Sequence, residues 1–217
     1  MMHARFLTGD NFSQPISKVV CVGRNYAEHA KELNNPVPTS PILFIKPNSA
    51  LTPLNVPLRL PQGEQVHYEA ELAVLIGSTL RHADVDSATR AIAGLGLALD
   101  LTLREVQSRL KEKGLPWEIA KSFDGACPLS PFCVYNGTDL ADIDYRFLIN
   151  GELRQHGQTS QMLTPIPELL AFMSKHFTLL PGDVVLTGTP AGVGKLNSGD
   201  VLELQSSFGV NLSTQVE

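Results

Sequence analysis

Apolar residues in this chain fall in short blocks broken by clusters of Pro, Gly, Asn and Asp. Lys18–Gly23, Ile42–Pro47 and the stretches 66–77, 91–100, 145–149, 152–155, 183–187 and 201–204 read as strands. Aliphatic, β-branched and aromatic residues dominate them, and no helical period develops. Asn150 and Gly151, between two such blocks, give a two-residue hairpin signal. Four segments read as helices. Residues 26–33 follow a capping Asn25 and stop at the Asn- and Pro-rich stretch 34–38; residues 84–90 form a short segment; residues 102–113 end at Gly114; residues 165–177 keep their prolines in the first turn. Strands and helices do not alternate regularly, which argues against a doubly wound parallel sheet. The pattern predicts one α+β domain over residues 1–217, mainly β, with short peripheral helices and a short N-terminal extension at 1–17.

Composition narrows the function. A chain of 217 residues can bury a substantial core, and a net charge of −5 with scattered Lys and Arg disfavours a nucleic-acid partner. No apolar run is long enough for a membrane span, and the N-terminus lacks a secretory pattern, so the expected location is the cytoplasm. Cys21, Cys127 and Cys133 form no CxxC pair and are expected to be reduced thiols, Cys21 in the core.

The chemistry starts at Glu69 and Glu71. Residues two apart in a strand share a face, so two carboxylates project side by side beside an apolar stretch. A solvated acidic edge would explain them, but a bound divalent cation relieves both their repulsion and their burial, and is preferred. Asp100 ends another apolar block and adds a third carboxylate; a helix N-cap is its plainer reading. Three carboxylates with no Cys or His among them favour Mg²⁺ or Mn²⁺ over Zn²⁺.

Other signals are weaker alone. His29 and Glu32 share a face of the first helix and could form a general-base pair, although spacing alone favours a surface pair. Gly23 and Arg24 at a strand end make a plausible anion corner. Lys46 and Lys121 sit in apolar settings, either as buried cations or with stems packed and amines in water. The segment 186–195 fails as a phosphate loop, because its Gly spacing is wrong and Leu196 stands where Ser or Thr should bind the metal.

Taken in order, these segments resemble the fumarylacetoacetate hydrolase family, in its small acylpyruvase and oxaloacetate decarboxylase branch. The resemblance rests on residues 21–26 with His29, 44–47, 68–72, 99–104, 113–117 with 121–123, 150–155 and 186–190. It implies a mixed β-roll or β-sandwich, usually dimeric, with a Mg²⁺ or Mn²⁺ site. It further implies Glu69, Glu71 and Asp100 as metal ligands, and His29 and Glu32 as a water-activating dyad on a segment able to act as a lid. Lys121 becomes the catalytic cation, and Arg24, Lys46, Arg104, Gln107 and Thr189 line the substrate pocket. Leu101 and Leu103 depart from the family's usual smaller or more polar residues. The chain also lacks the extra N-terminal domain of the true fumarylacetoacetase, which disfavours that substrate. The implied activity is cleavage of a C–C bond in an acylpyruvate-type 2,4-dioxo acid to release pyruvate. The alternatives on the same site are oxaloacetate decarboxylation, keto–enol tautomerisation and a dienedioate-type isomerisation. A catalytically silent metal- or 2-oxo-acid-binding protein is the non-enzyme alternative.

Overall fold

The structure, a computed structural model, describes residues 1–217. Its central mixed sheet runs in the order Ile42–Pro47, Lys18–Gly23, Val184–Leu186, Ala70–Ile76, Ile92–Leu99, Cys127–Leu129, Leu51–Pro53, with Cys133–Val134 added beside Ile92–Leu99. Every residue of Ala70–Ile76 is buried. Both faces of this sheet are covered, which is why the sequence here shows an apolar run instead of an alternation. The alternation survives in where the side chains go. Leu72, Val74 and Ile76 enter a large core, while Ala73 and Leu75 enter a smaller one on the other face. Glu71 has the parity of Ala73 and Leu75, so it belongs to the smaller side.

A second sheet, Glu152–Gln158, Asp144–Ile149, Val201–Ser206 and Asn211–Gln215, closes over the large core. It contributes Tyr145, Phe147, Leu202 and Leu204, and the helix Ile166–His176 adds Leu169, Leu170 and Met173. Asn150 and Gly151 form the expected hairpin, with φ of 54° and 78°. The strands His3–Arg5 and Asn11–Pro15 form a hairpin whose neighbourhood adds Ala4 and Ile16 to the smaller core. The mainly β, α+β architecture agrees with the pattern of the sequence.

Three local expectations change. The stretch 66–77 is two strands: Val66–Tyr68 belongs to a small third sheet with Thr102–Leu103 and Gly194–Lys195, and Ala70–Ile76 belongs to the central sheet. Glu69 is the corner between them. The expected helix at 102–113 likewise starts later, as Arg104–Glu112, because Thr102 and Leu103 pair with the small sheet. Asp100 is therefore a second corner, not a helix cap. Asn25 does not cap the first helix either; Ala27–Glu32 begins after Tyr26. Its amide instead crosses the molecule, accepting from Thr164 N (2.8 Å) and donating to the carbonyls of Thr164 (3.0 Å) and Thr187 (2.9 Å).

A candidate divalent-metal site at the sheet corners

Strand direction gathers the site. Lys18–Gly23, Val184–Leu186 and Ile92–Leu99 all run one way and end at the edge where Ala70–Ile76 begins. The antiparallel register Ala70 to Leu99 sets the two corners opposite each other, joined by Asp100 N donating to Glu69 O at 2.8 Å. Glu69, Glu71 and Asp100 are all buried, and ligand oxygens from the three lie within 4.8 Å of one another. In the next strand Leu186 pairs with Ala73, which carries Gly188 alongside Glu71, and Gly188 N donates to Glu71 Oε2 at 2.6 Å. Gly188 has φ of +97°, and a Cβ there would stand 2.7 Å from Asn25 Cβ, so both conformation and space demand glycine.

Buried carboxylates need cations, and the site provides them unevenly. Lys121 Nζ, fully buried, reaches Glu69 Oε2 (2.8 Å), Asp100 Oδ2 (2.7 Å) and Thr102 Oγ1 (2.7 Å). Its stem does not lead the amine to water. Arg104 Nη2 pairs with Glu69 Oε1, and Nη1 donates to Gln107 Oε1 at 2.7 Å. Burial pushes the Glu69 carboxyl up, but Lys121, Arg104 and His29 outweigh it and hold the group below the usual range. Glu71 has no such partner: burial, then Asp100 and Glu69, push its pKa well above the ordinary carboxylate value. Asp100 Oδ1 lies 2.8 Å from Lys46 Nζ yet accepts no hydrogen bond.

These observations test the fit of a hard cation. A buried carboxylate oxygen lacks a hydrogen bond, a neighbouring carboxyl is driven toward protonation, and all three groups converge. A divalent ion with oxygen ligands answers each of these. The donor set suits Mg²⁺ or Mn²⁺, and nothing in it favours Zn²⁺.

His29 is buried, with its Nδ1 3.4 Å from Glu32 Oε2, and Glu32 Oε1 accepts from Gly192 N at 3.0 Å. Burial lowers the His29 pKa, partly offset by Glu69 and Glu32, so the ring is neutral near pH 7. His29 thus lies on the inner face of its helix, not at the surface.

Arg24, His29, Glu69, Glu71, Asp100, Arg104, Gln107, Lys121 and Thr189 line one cavity of about 30 Å³. Glu32 stands behind His29. Lys46 departs from its expected place in the pocket lining. It is completely buried behind Asp100, its amine held by the carbonyls of Lys121 and Ala126. Thr189 reaches the cavity, but its hydroxyl already donates to Ala70 O (2.8 Å) and accepts from Gln155 Nε2 (2.8 Å).

Four residues escape a reading of the sequence. Thr102 supplies a hydroxyl to Lys121, and Gly188 supplies its N–H to Glu71. Gln155 clamps the start of the acidic strand through Ala70 N at 2.8 Å. Lys111 joins the cavity wall. Thr102, Gln155 and Gly188 lie in segments that carry the family resemblance but had no role assigned, and Lys111 continues the stripe of Arg104 and Gln107 along one helix face.

Comparison with known proteins agrees with this geometry. The family model described as fumarylacetoacetate (FAA) hydrolase C-terminal matches residues 18–216. An oxaloacetate tautomerase of Escherichia coli is 54% identical over 207 residues, covering 93% of each chain. A mitochondrial oxaloacetate decarboxylase of Dictyostelium discoideum is 41% identical over 192 residues, covering 86% of this chain and 87% of that one. The crystal structure of a fumarylpyruvate hydrolase from Pseudomonas aeruginosa, in complex with Mn²⁺ and pyruvate, superposes with a TM-score of 0.92 at 33% identity. It covers 99% of this chain and 95% of that one. With the family model matching residues 18–216 and a relative 54% identical over 93% of the chain, the chain belongs to the fumarylacetoacetate hydrolase family.

Proposed function

We propose that the protein interconverts the keto and enol forms of oxaloacetate and can also release CO₂ from the keto form, which leaves the enolate of pyruvate. This replaces acylpyruvate hydrolysis as the leading activity. The observation that carries it is the junction of the carboxylate cluster with a protonated Lys121 and a neutral, buried His29 in one cavity. The curated relatives named for oxaloacetate tautomerisation and decarboxylation support the choice of substrate.

Glu69, Glu71 and Asp100 would hold Mg²⁺ or Mn²⁺, which when bound supplies Lewis-acid stabilisation of negative charge on an enolate. The rest falls to the chain's own groups. Lys121, kept charged by Asp100 and Glu69, offsets the charge that develops on the 2-oxygen. His29 takes the C3 proton as general base, with Glu32 orienting the ring. The proton goes back to C3 in the reverse direction, or to the 2-oxygen to complete the enol. Loss of CO₂ from the keto form breaks the C3–C4 bond, whose electron pair passes to the 2-oxygen as the enolate of pyruvate, and a proton then adds at C3. No nucleophile or base is needed for the cleavage, so Lys121 and the carboxylates that would hold the metal carry it.

The test follows the decay of enol oxaloacetate by its ultraviolet absorption in the presence of Mg²⁺. Wild type should accelerate it, chelation should abolish the acceleration, and His29→Ala should lower it by ~10²–10⁴-fold. A higher kcat/KM for pyruvate release from acetylpyruvate than for oxaloacetate tautomerisation would restore the hydrolase reading.

A further inference from the structure

The cations around the cavity differ in what they hold. Lys46 and Lys121 are committed to Asp100 and Glu69, and Arg104 to Glu69 and Gln107. Two lining cations have no anionic partner. Arg24 makes no side-chain hydrogen bond or ion pair, and burial alone lowers its pKa. Lys111 Nζ has one partner, the neutral carboxamide oxygen of Asn35, at 2.8 Å. Lys111 faces Arg24 and Arg104 closely enough to feel their charge.

The bond to Asn35 also has a mechanical meaning. Asn35 and Leu33 form the cavity wall that follows the His29 helix, whereas Lys111 belongs to the helix Arg104–Glu112. The Lys111–Asn35 contact ties these two walls together by side chains. The cavity is narrow, about 30 Å³, and partly open to solvent, so Lys111 meets a ligand by releasing Asn35.

We infer that Lys111 reads the second carboxylate of a dicarboxylic 2-oxo acid: as the wall opens, its amine exchanges the Asn35 oxygen for the distal carboxylate, with Arg24 as the neighbouring positive charge. This deepens the oxaloacetate reading and rests on it for the substrate class. A monocarboxylic acylpyruvate would leave both cations unpaired in a partly desolvated corner. A dicarboxylate pairs them, and complementary charge of this kind sets specificity. Lys111 is here a specificity residue; it takes no part in the proton transfers.

The test is calorimetric binding to the Mg²⁺-loaded protein of two ligands that differ in the distal carboxylate and in two fluorines on C3: pyruvate, and 3,3-difluorooxaloacetate, which has no C3 proton. The comparison of each ligand between wild type and variant cancels the fluorines. Wild type should prefer the dicarboxylate. Lys111→Met should weaken the dicarboxylate by about tenfold to a hundredfold, the range for a charged hydrogen bond, and change pyruvate less than about twofold. Lys111→Arg should retain part of the preference. Asn35→Ala separates recognition from structure: it should leave dicarboxylate binding as strong as in wild type or stronger. No preference in wild type, an equal loss of both ligands in Lys111→Met, or a loss in Asn35→Ala as large as in Lys111→Met would each overturn the inference. Because the readout is binding, selective binding without oxaloacetate turnover would sink the proposed activity and leave the role of Lys111 standing.

Discussion

Lys46 and Lys121 show how differently two lysines in apolar surroundings can serve one site. In the sequence they pose the same ambiguity, because a Lys flanked by Phe, Ile or Trp can bury its amine or reach water with it. Burial separates them from surface lysines, and their partners separate them from each other. Lys121 holds two carboxylates and faces the cavity, whereas Lys46 holds the backbone around Lys121 and Ala126 and lies behind Asp100. Removing Lys46 strands two carbonyls and a carboxylate away from water. Lys46→Met should therefore cost about 3–5 kcal/mol of stability, the range for breaking a buried ion pair, measured by urea unfolding. His29 gives a second residue-scale expectation. Its folded pKa lies below the unfolded value of about 6.5, so below that pH the unfolded chain binds more protons. Its contribution to stability is complete above about pH 6.5 and falls away as pH drops toward the folded value. The stability difference between pH 7.5 and pH 5.5 should be smaller in His29→Gln than in wild type; an unchanged difference would contradict a buried neutral ring.

At the scale of elements, the sequence pattern located most strands and misjudged the corners. Lys18–Gly23 and Ile42–Pro47 were legible because each serves one sheet throughout. The stretch 66–77 was not, because apolar content is the same on both sides of Glu69 and nothing local marks the change of sheet. The pairing of the two glutamates was still inferred correctly, since both project toward the same corner whether or not the strand is continuous. Asp100 was legible only as the end of a block; its nearness to Glu69 comes from a register that depends on the whole sheet. The His29 helix is a short support, six residues docked through Glu32 to Gly192 N, and the segment after it is tied through Asn35 to Lys111. A segment held by so few bonds opens at low cost. Amide exchange over residues 27–38 should be faster than in Ala70–Ile76, and Mg²⁺ with oxalate should slow it. Equal exchange with and without the ligand would argue against closure over substrate.

For the molecule as a whole, the metal site should register in stability as well as in turnover. A ligand that binds only the folded chain raises stability by RT ln(1 + [L]/Kd), about 2.7 kcal/mol at a hundredfold excess over Kd. Mg²⁺ should thus raise the melting temperature of wild type and leave Glu71→Gln unmoved, although Glu71→Gln itself should fold, because it exchanges a carboxyl already driven toward its neutral form for a neutral amide of similar size. A Mg²⁺ shift of equal size in both proteins would place the ion elsewhere. The activities should divide in the same molecule: His29→Ala should lower tautomerisation far more than decarboxylation, and Glu71→Gln should lower both, as judged by kcat/KM for each. Equal losses of both activities in His29→Ala would give the ring a role other than proton transfer.

The lysines and arginine that neutralise two of the three acids carry one more implication. Because Lys121, Lys46 and Arg104 already compensate Glu69 and Asp100, the fold does not wait for an ion. Metal-dependent small domains unfold when stripped, since ion and fold are a single equilibrium. Here the ion joins a finished scaffold and must compete with an ammonium group for the same oxygens. Stripping the ion with a chelator should then leave the fold intact by circular dichroism, and Mg²⁺ added back should restore turnover without a refolding step.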